Sequence, residues 1–268
     1  MRTIMSHVLK PRTQHKLPNR RGGRIGKSDA SFQVSLVDAS DLVRVQRLVK
    51  SDAELEYIRH AGTLCDAIFK VSCDLAVPGV WVKSIYGAMM KTILDGGGDP
   101  SASRWPMGAG EYALFGRYHT GDEMIKDQDQ IVFEPAASYR HYHACSMYNI
   151  VTGNPHQKQI EMNLACAEAL DSCQDALRPG RSVGEIFNIH QSILKTFGYE
   201  KASLAACGYT VGATYPPTWM DWPMFWAGNE QEIEKGMVFF LHMILFDNES
   251  GFSMCMGETS IVLDNGPP

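Results

Sequence analysis

The sequence predicts an α+β domain made of two related halves, each a pair of helices followed by a pair of strands. Three observations carry this. Pro78-Gly79 returns about a hundred residues later as Pro179-Gly180, with a helical pattern on both sides of each. Each helix pair is followed by a segment rich in Gly, Pro and aromatics. Each of those segments runs into two hydrophobic stretches of strand length. Two such halves related by a pseudo-twofold pack their strands into one curved, antiparallel-rich sheet with the helices on one face, and a site then sits at the sheet centre, lined from both halves.

A strand-like piece, SFQVSLVDA (31–39), precedes the first strong helix, which opens at Ser51. Ser51 caps it and Glu54 closes a capping box, while Leu55, Ile58, Leu64, Ile68 and Val71 recur at helical spacing. Pro78-Gly79 stops it, and a second helix over 81–94 runs into Gly96-Gly97-Gly98. The pattern repeats with a helix from Gln157 to Leu177 and another from Val183 to Phe197, ended by Gly198. Superposing the two Pro-Gly pairs matches Val82 with Val183 and Ile85 with Ile186, which marks an internal duplication. The strands are expected at 130–138 and 144–152 in the first half and at 236–246 and 256–264 in the second. Glu134 falls in the middle of the first of these, in an apolar setting where a carboxylate is costly to bury without a partner.

Composition narrows the class. The 268 residues are 44% hydrophobic, enough for a sizeable core. No run approaches the roughly 18 apolar residues of a membrane span, and the first residues lack the apolar block of a secretory signal, so a cytoplasmic protein without a membrane partner is expected. Seven cysteines, an odd number with no CxxC spacing, read as reduced and mostly buried thiols. Residues 1–28 carry eight Lys or Arg and no acid, against a net charge of −5 for the whole chain. That acidic body offers no supporting basic face, so the leader is read as solvated chain and nucleic acid is not an expected partner.

The segments EIEKGMVF, GETSIVL and CGYTVGATYPP, in this layout, resemble the pita-bread fold of the methionine aminopeptidase, Xaa-Pro peptidase and creatinase superfamily, from about residue 42 to the carboxyl end. GYTVGATYPPTW and HYHA are most similar to the branch containing ectoine hydrolase and, more distantly, creatinase. The resemblance implies two parts: residues 1–41, a basic leader and remnant of an amino-terminal domain, and residues 42–268, a pita-bread catalytic domain. It also implies that the creatinase-type amino-terminal domain is missing and that the protein is a homodimer.

The peptidases of the superfamily hold two metal ions with two Asp, one His and two Glu. By resemblance, those positions fall at Glu134, Cys145, Tyr209, His242 and Glu258. Only two keep a carboxylate, too few for a cage that neutralises two dications, so neither metal nor cofactor is expected. A single zinc held by Cys145, His242 and a Glu, and Cys145 as a nucleophile, stand as alternatives to a small buried residue filling a vacated position.

Hydrolysis at an amidine or guanidine carbon needs a nucleophile, a proton shuttle and carboxylates that hold a cation. The resemblance gives Glu134 the role of attacking that carbon or fixing the amidinium, and Glu258 the other end of the charge. His119, ahead of the first strand, is the nearest match to creatinase's acid/base histidine; His141, His143 and His242 are the other candidates. His143 lies where the family has an RYH motif and is expected to touch substrate. His141 replaces that motif's Arg, a role Arg140 would take over. Tyr209 and His242 complete the expected substrate contacts from the sheet, and Tyr215 and Trp219 supply them from the aromatic loop 214–226, whose rings suit an organic cation. The alternative for that loop is packing against the core or a dimer partner. SMYNIV stands where relatives commonly have an Arg-Thr pair. The function read from this is a metal-independent hydrolase of a C–N bond in a small amidine, guanidine or cyclic amino-acid derivative. A metal-dependent Xaa-Pro dipeptidase and a non-catalytic binding domain are the alternatives.

Overall fold

The computed structural model describes residues 37–116 and 122–264. By internal contacts the chain divides into Met1–Gln46 and Arg47–Pro268. Of the strand-like piece at 31–39, residues 31–36 lie outside the described residues and 37–39 are not strand. Helix α1 (Ser40–Leu48) follows.

Four helices match the expected pattern: α2 (Asp52–Leu75), α3 (Val82–Asp95), α4 (Gln157–Ala176) and α5 (Val183–Thr196). The Ser51 N–H donates to the Glu54 carboxylate at 2.8 Å, closing the capping box, and Ser182 with Glu185 repeats the device at α5. At α4 the cap is His156, whose Nδ1 accepts from the Lys158 N–H at 3.1 Å.

The duplication is explicit in the backbone. Gly79 and Gly180 both adopt positive φ, 85° and 84°, and donate their N–H to the carbonyls of Ile125 and Ile233. Only glycine takes that conformation without strain. Each Pro-Gly turn therefore ties its second helix to the chain leading into its half of the sheet.

The strands are β1 (Met107–Ala109), β2 (Asp129–Phe133), β3 (Ala136–Tyr139), β4 (Tyr142–Thr152), β5 (Gly208–Thr210), β6 (Asp221–Met224), β7 (Val238–Asp247) and β8 (Phe252–Ile261). They form one curved antiparallel sheet in the order β1-β2-β4-β8-β7-β5-β6, with β3 also on β4. The halves meet where β4 pairs β8, through Ser146↔Glu258 and Met147↔Gly257. Helices α2 and α3 cover one half through Ile58, Ile68, Ile85 and Ile93; α4 and α5 cover the other through Met162, Ile186 and Leu194 against Phe239, Met243 and Leu245. All seven cysteines are free and all but Cys73 are buried. No helix among the described residues is long and apolar enough to cross a membrane.

The strand expected over 130–138 is broken in two. Pro135 has no N–H for the ladder. Glu134 leaves the ladder with it, donating its N–H to the Pro106 carbonyl at 2.9 Å. β2 then pairs the far part of β4, Phe133 opposite Tyr148, and β3 the near part, Ala136 opposite Cys145. Glu134 therefore sits at a break between strands rather than in the middle of one.

Lys50, just after α1, is buried at 6% exposure, and its Nζ donates to the Leu48 carbonyl at 2.9 Å. Beside it Arg47 pairs with Asp221 at 3.1 Å. Burial pushes the Lys50 ammonium down to about 8 from its ordinary 10.5; Asp221 pulls it up, Arg47 down and Glu54 up. Between those two values the folded protein binds fewer protons than the unfolded chain, so stability rises with pH across that window. Urea midpoints measured from neutral pH to above 9 are expected to show this rise, and Lys50→Met is expected to abolish it.

Candidate active site

Side chains alternate across each strand, so one parity faces the helices and the other faces a cavity of about 140 Å³. Glu134 reaches the cavity from the β2–β3 break, Tyr209 from β5, and His242 from β7. All three are buried, at 8%, 2% and 6% exposure. The Tyr209 and His242 rings lie with centroids 5.6 Å apart. The rest of the lining is largely apolar: Met107, Met147, Met220, Met224, Ile244 and Phe246 form much of the wall, and the exposed Phe115 and Tyr112 stand at its edge.

Cys145 and Cys255 flank the same region. Burial pushes the Cys145 thiol well above its ordinary value, with Cys65 and the Glu134 carboxylate adding to the rise; burial does the same at Cys255, with Cys166 and Glu134 adding. Both are thus held as neutral thiols, a poor state for a nucleophile. Among the described residues, no three His, Cys, Asp or Glu side chains come together as a metal-binding group.

Glu258 does not join the site. His242 faces Gly257 across the β7–β8 ladder, and Glu258 faces Leu241, on the helix side. There its carboxylate accepts from the Gln174 Nε2 of α4 at 3.1 Å, in an exposed position. The expected site position was one residue off, which in a strand flips the face. The signal was present in the sequence: Val262, a core residue against α4 and α5, shares Glu258's parity.

The other expected residues divide. Trp219 is buried behind the site, where its Nε1–H donates to the Tyr209 hydroxyl at 2.8 Å; it fixes Tyr209 without lining the cavity. Tyr209→Phe would leave that donor buried without its acceptor, and a loss of about 1–3 kcal/mol in urea unfolding is expected. His143 is buried away from the cavity with both ring nitrogens engaged: Nε2 accepts from the Ala102 N–H at 3.0 Å, and Nδ1 faces the Gly212 carbonyl at 3.3 Å and the Thr214 hydroxyl at 3.1 Å. Burial lowers its pKa, so the ring is a neutral strut holding β4 to the 212–214 segment. Tyr215 is 64% exposed and packs on His141, and Arg140 lies over the Tyr139 ring at 5.8 Å; neither lines the cavity. His119 lies outside the described residues. The methionine wall escaped sequence reasoning because its residues come from segments far apart in the chain.

Residues 56–265 match the family model for metallopeptidase family M24. An uncharacterized hydrolase/peptidase of Sinorhizobium fredii is 30% identical over 190 residues, 69% of this chain and 48% of its own length. Ectoine hydrolase of Halomonas elongata is 24% identical over 239 residues, 85% of this chain and 59% of its own. The prolidase from Pyrococcus furiosus shares the fold, with a TM-score of 0.80 at 22% identity, covering 85% of this chain and 66% of its own. The chain thus spans about half to two thirds of the length of the relatives it matches.

Proposed function

The chain belongs to metallopeptidase family M24, and from that premise we propose that it is a hydrolase that cleaves a C–N bond in a small amidine, guanidine or cyclic amino-acid derivative without a metal ion. The observation that carries the reading is the convergence of Glu134, His242 and Tyr209 on one largely apolar cavity that Glu258 does not reach.

The side chains present do not fit a dinuclear metal centre. Of the five positions that hold metal by family resemblance, one offers a carboxylate to the cavity, Glu134. Cys145 carries a single sulfur, Tyr209 a hydroxyl already accepting from Trp219, and His242 an imidazole. The fifth side chain, Glu258, faces the helices. Two dications need several bridging carboxylates to balance their charge.

What the residues do supply is a cation site with a proton carrier. The Glu134 carboxylate holds an amidinium in a low-dielectric cavity, where the pairing is strong. Water adds its oxygen to the amidine carbon, and His242 takes the proton that this oxygen loses. The C–N bond then breaks as the departing nitrogen takes the proton from His242, and the oxygen's second proton goes to the released amine, leaving an amide and an ammonium. The same reading has the protein cytoplasmic and acting as a homodimer on a small-molecule substrate.

Incubation with cyclic amidines, creatine and a Xaa-Pro dipeptide, followed by mass spectrometry, tests the proposal. A ring-opened amide from an amidine is expected; release of proline from the dipeptide alone would overturn it.

A further inference from the structure

The cavity wall is held unevenly. His242 and Met147 stand on the long central strands β7 and β4, whereas Met220 and Met224 come from β6 and the residue before it. β6 is the last strand in the sheet order and only four residues long, and its register with β5 shifts between Tyr209 and Thr210. Pro223 within it has no N–H to give to a ladder. The segment leading into β6 also carries Trp219, whose Nε1–H fixes the Tyr209 hydroxyl at 2.8 Å. This edge therefore sets two features of the site, the position of Tyr209 and part of the methionine wall.

The start of that segment is tied to β4. The Thr214 N–H donates to the His141 carbonyl at 3.1 Å, and the Thr214 hydroxyl meets His143 Nδ1 at 3.1 Å. Its end has a different anchor. Arg47 of α1 pairs with Asp221 at 3.1 Å and also donates to the Ala213 carbonyl. One guanidinium thus joins the two ends of a nine-residue segment, 213–221, a task its planar fork of donors performs better than an ammonium. Lys50 lies against the same turn: its Nζ donates to the Leu48 carbonyl, and its Cε would stand 3.3 Å from a Cβ placed on Gly212. An isolated ion pair with one side chain 39% exposed contributes little to stability. Here the cation holds two points of one segment, so its effect falls on the freedom of that segment rather than on the whole fold.

We propose that Arg47 is a positioning residue of the active site: by stapling Ala213 to Asp221 it keeps Trp219 on Tyr209 and keeps Met220 and Met224 in the cavity wall. Its consequence for turnover rests on the hydrolase reading. The methionine wall touches the body of a substrate in the ground state and the transition state alike, while Glu134 and His242 are carried by the β2–β3 break and by β7, which the staple does not touch. Loss of the staple therefore raises KM and leaves kcat nearly unchanged.

Arg47→Met keeps the length of the side chain and removes both bonds. Hydrogen exchange at the indole N–H groups of the full chain, followed by NMR, reads the segment directly. The five tryptophans give five indole signals, and Trp219→Phe and Trp105→Phe identify the two that matter. Trp105 is the reference: it is fully buried, its Nε1–H donates to the Ala136 carbonyl at 3.0 Å, and it packs on Tyr86 of α3, away from Arg47. Arg47→Met is expected to speed exchange at Trp219 by about tenfold or more and to leave Trp105 within about twofold. Arg47→Lys, which keeps the charge without the fork, is expected to fall between. In the same Arg47→Met protein, KM for a cyclic amidine is expected to rise about tenfold with kcat within about threefold. Unchanged exchange at Trp219, or equal acceleration of both indoles, overturns the staple whatever the turnover shows. Faster exchange at Trp219 with an unchanged KM overturns the positioning role. Absence of amidine turnover in the unsubstituted protein overturns the hydrolase reading instead, and the exchange comparison still decides the staple.

Discussion

Glu134→Gln is expected to lower kcat/KM on an amidine substrate by about 10²–10³-fold, while Glu258→Gln leaves it within about twofold. The two substitutions are chemically identical, one oxygen exchanged for an amide nitrogen. They differ in the face of the sheet they touch. Glu134 is buried at 8% exposure on the cavity wall, so its replacement removes the one carboxylate that faces a bound cation from the described lining. Glu258 stands on the helix side, hydrogen-bonded to Gln174, where an amide can still be accommodated at an exposed position. Steady-state kinetics on the two variants, with circular dichroism to show that both fold, checks the pair. A large loss on Glu258→Gln would place that carboxylate in the chemistry and contradict the register described above.

Gly257→Glu, which puts a carboxylate directly opposite His242, is expected to cost about 3 kcal/mol or more and to lower the yield of folded protein. A Cβ at this position would stand 2.7 Å from the Phe240 Cζ and 2.8 Å from the Leu241 carbonyl oxygen. The ring is fully buried and the carbonyl belongs to the β7 backbone, so neither can yield cheaply. The carboxylate would then need a partner in an apolar wall. Denaturation midpoints measure the effect, with Gly257→Ala separating the steric part from the charge. A stable Gly257→Glu protein would show that the sheet centre has room for a second carboxylate after all.

Much of the fold was legible in the sequence because its signals are local. Helical spacing, the Ser51–Glu54 cap and the repeated Pro-Gly turn each act within a few residues, and the structure places all four helices where those patterns put them. Strand placement was less exact where geometry depends on a neighbour. Pro135 is visible in the sequence, but its effect, a ladder broken so that Glu134 is turned into the cavity, depends on how β4 pairs with both pieces. Glu134, Tyr209 and His242, expected by resemblance to the family's ligand positions, all line the cavity. Glu258 went to the opposite face because motif position was read without its parity. His143 looked like a substrate contact in a motif, yet its two nitrogens are spent on Ala102 and the 212–214 segment, partners that no local pattern reveals.

The most direct test of a single-carboxylate hydrolytic site is the metal content of the purified protein, measured by elemental mass spectrometry on the preparation used for turnover. The account predicts far less than one equivalent of transition metal per chain, with hydrolysis of the amidine unchanged by a chelator. About two equivalents, removed by the chelator together with the activity, would contradict it.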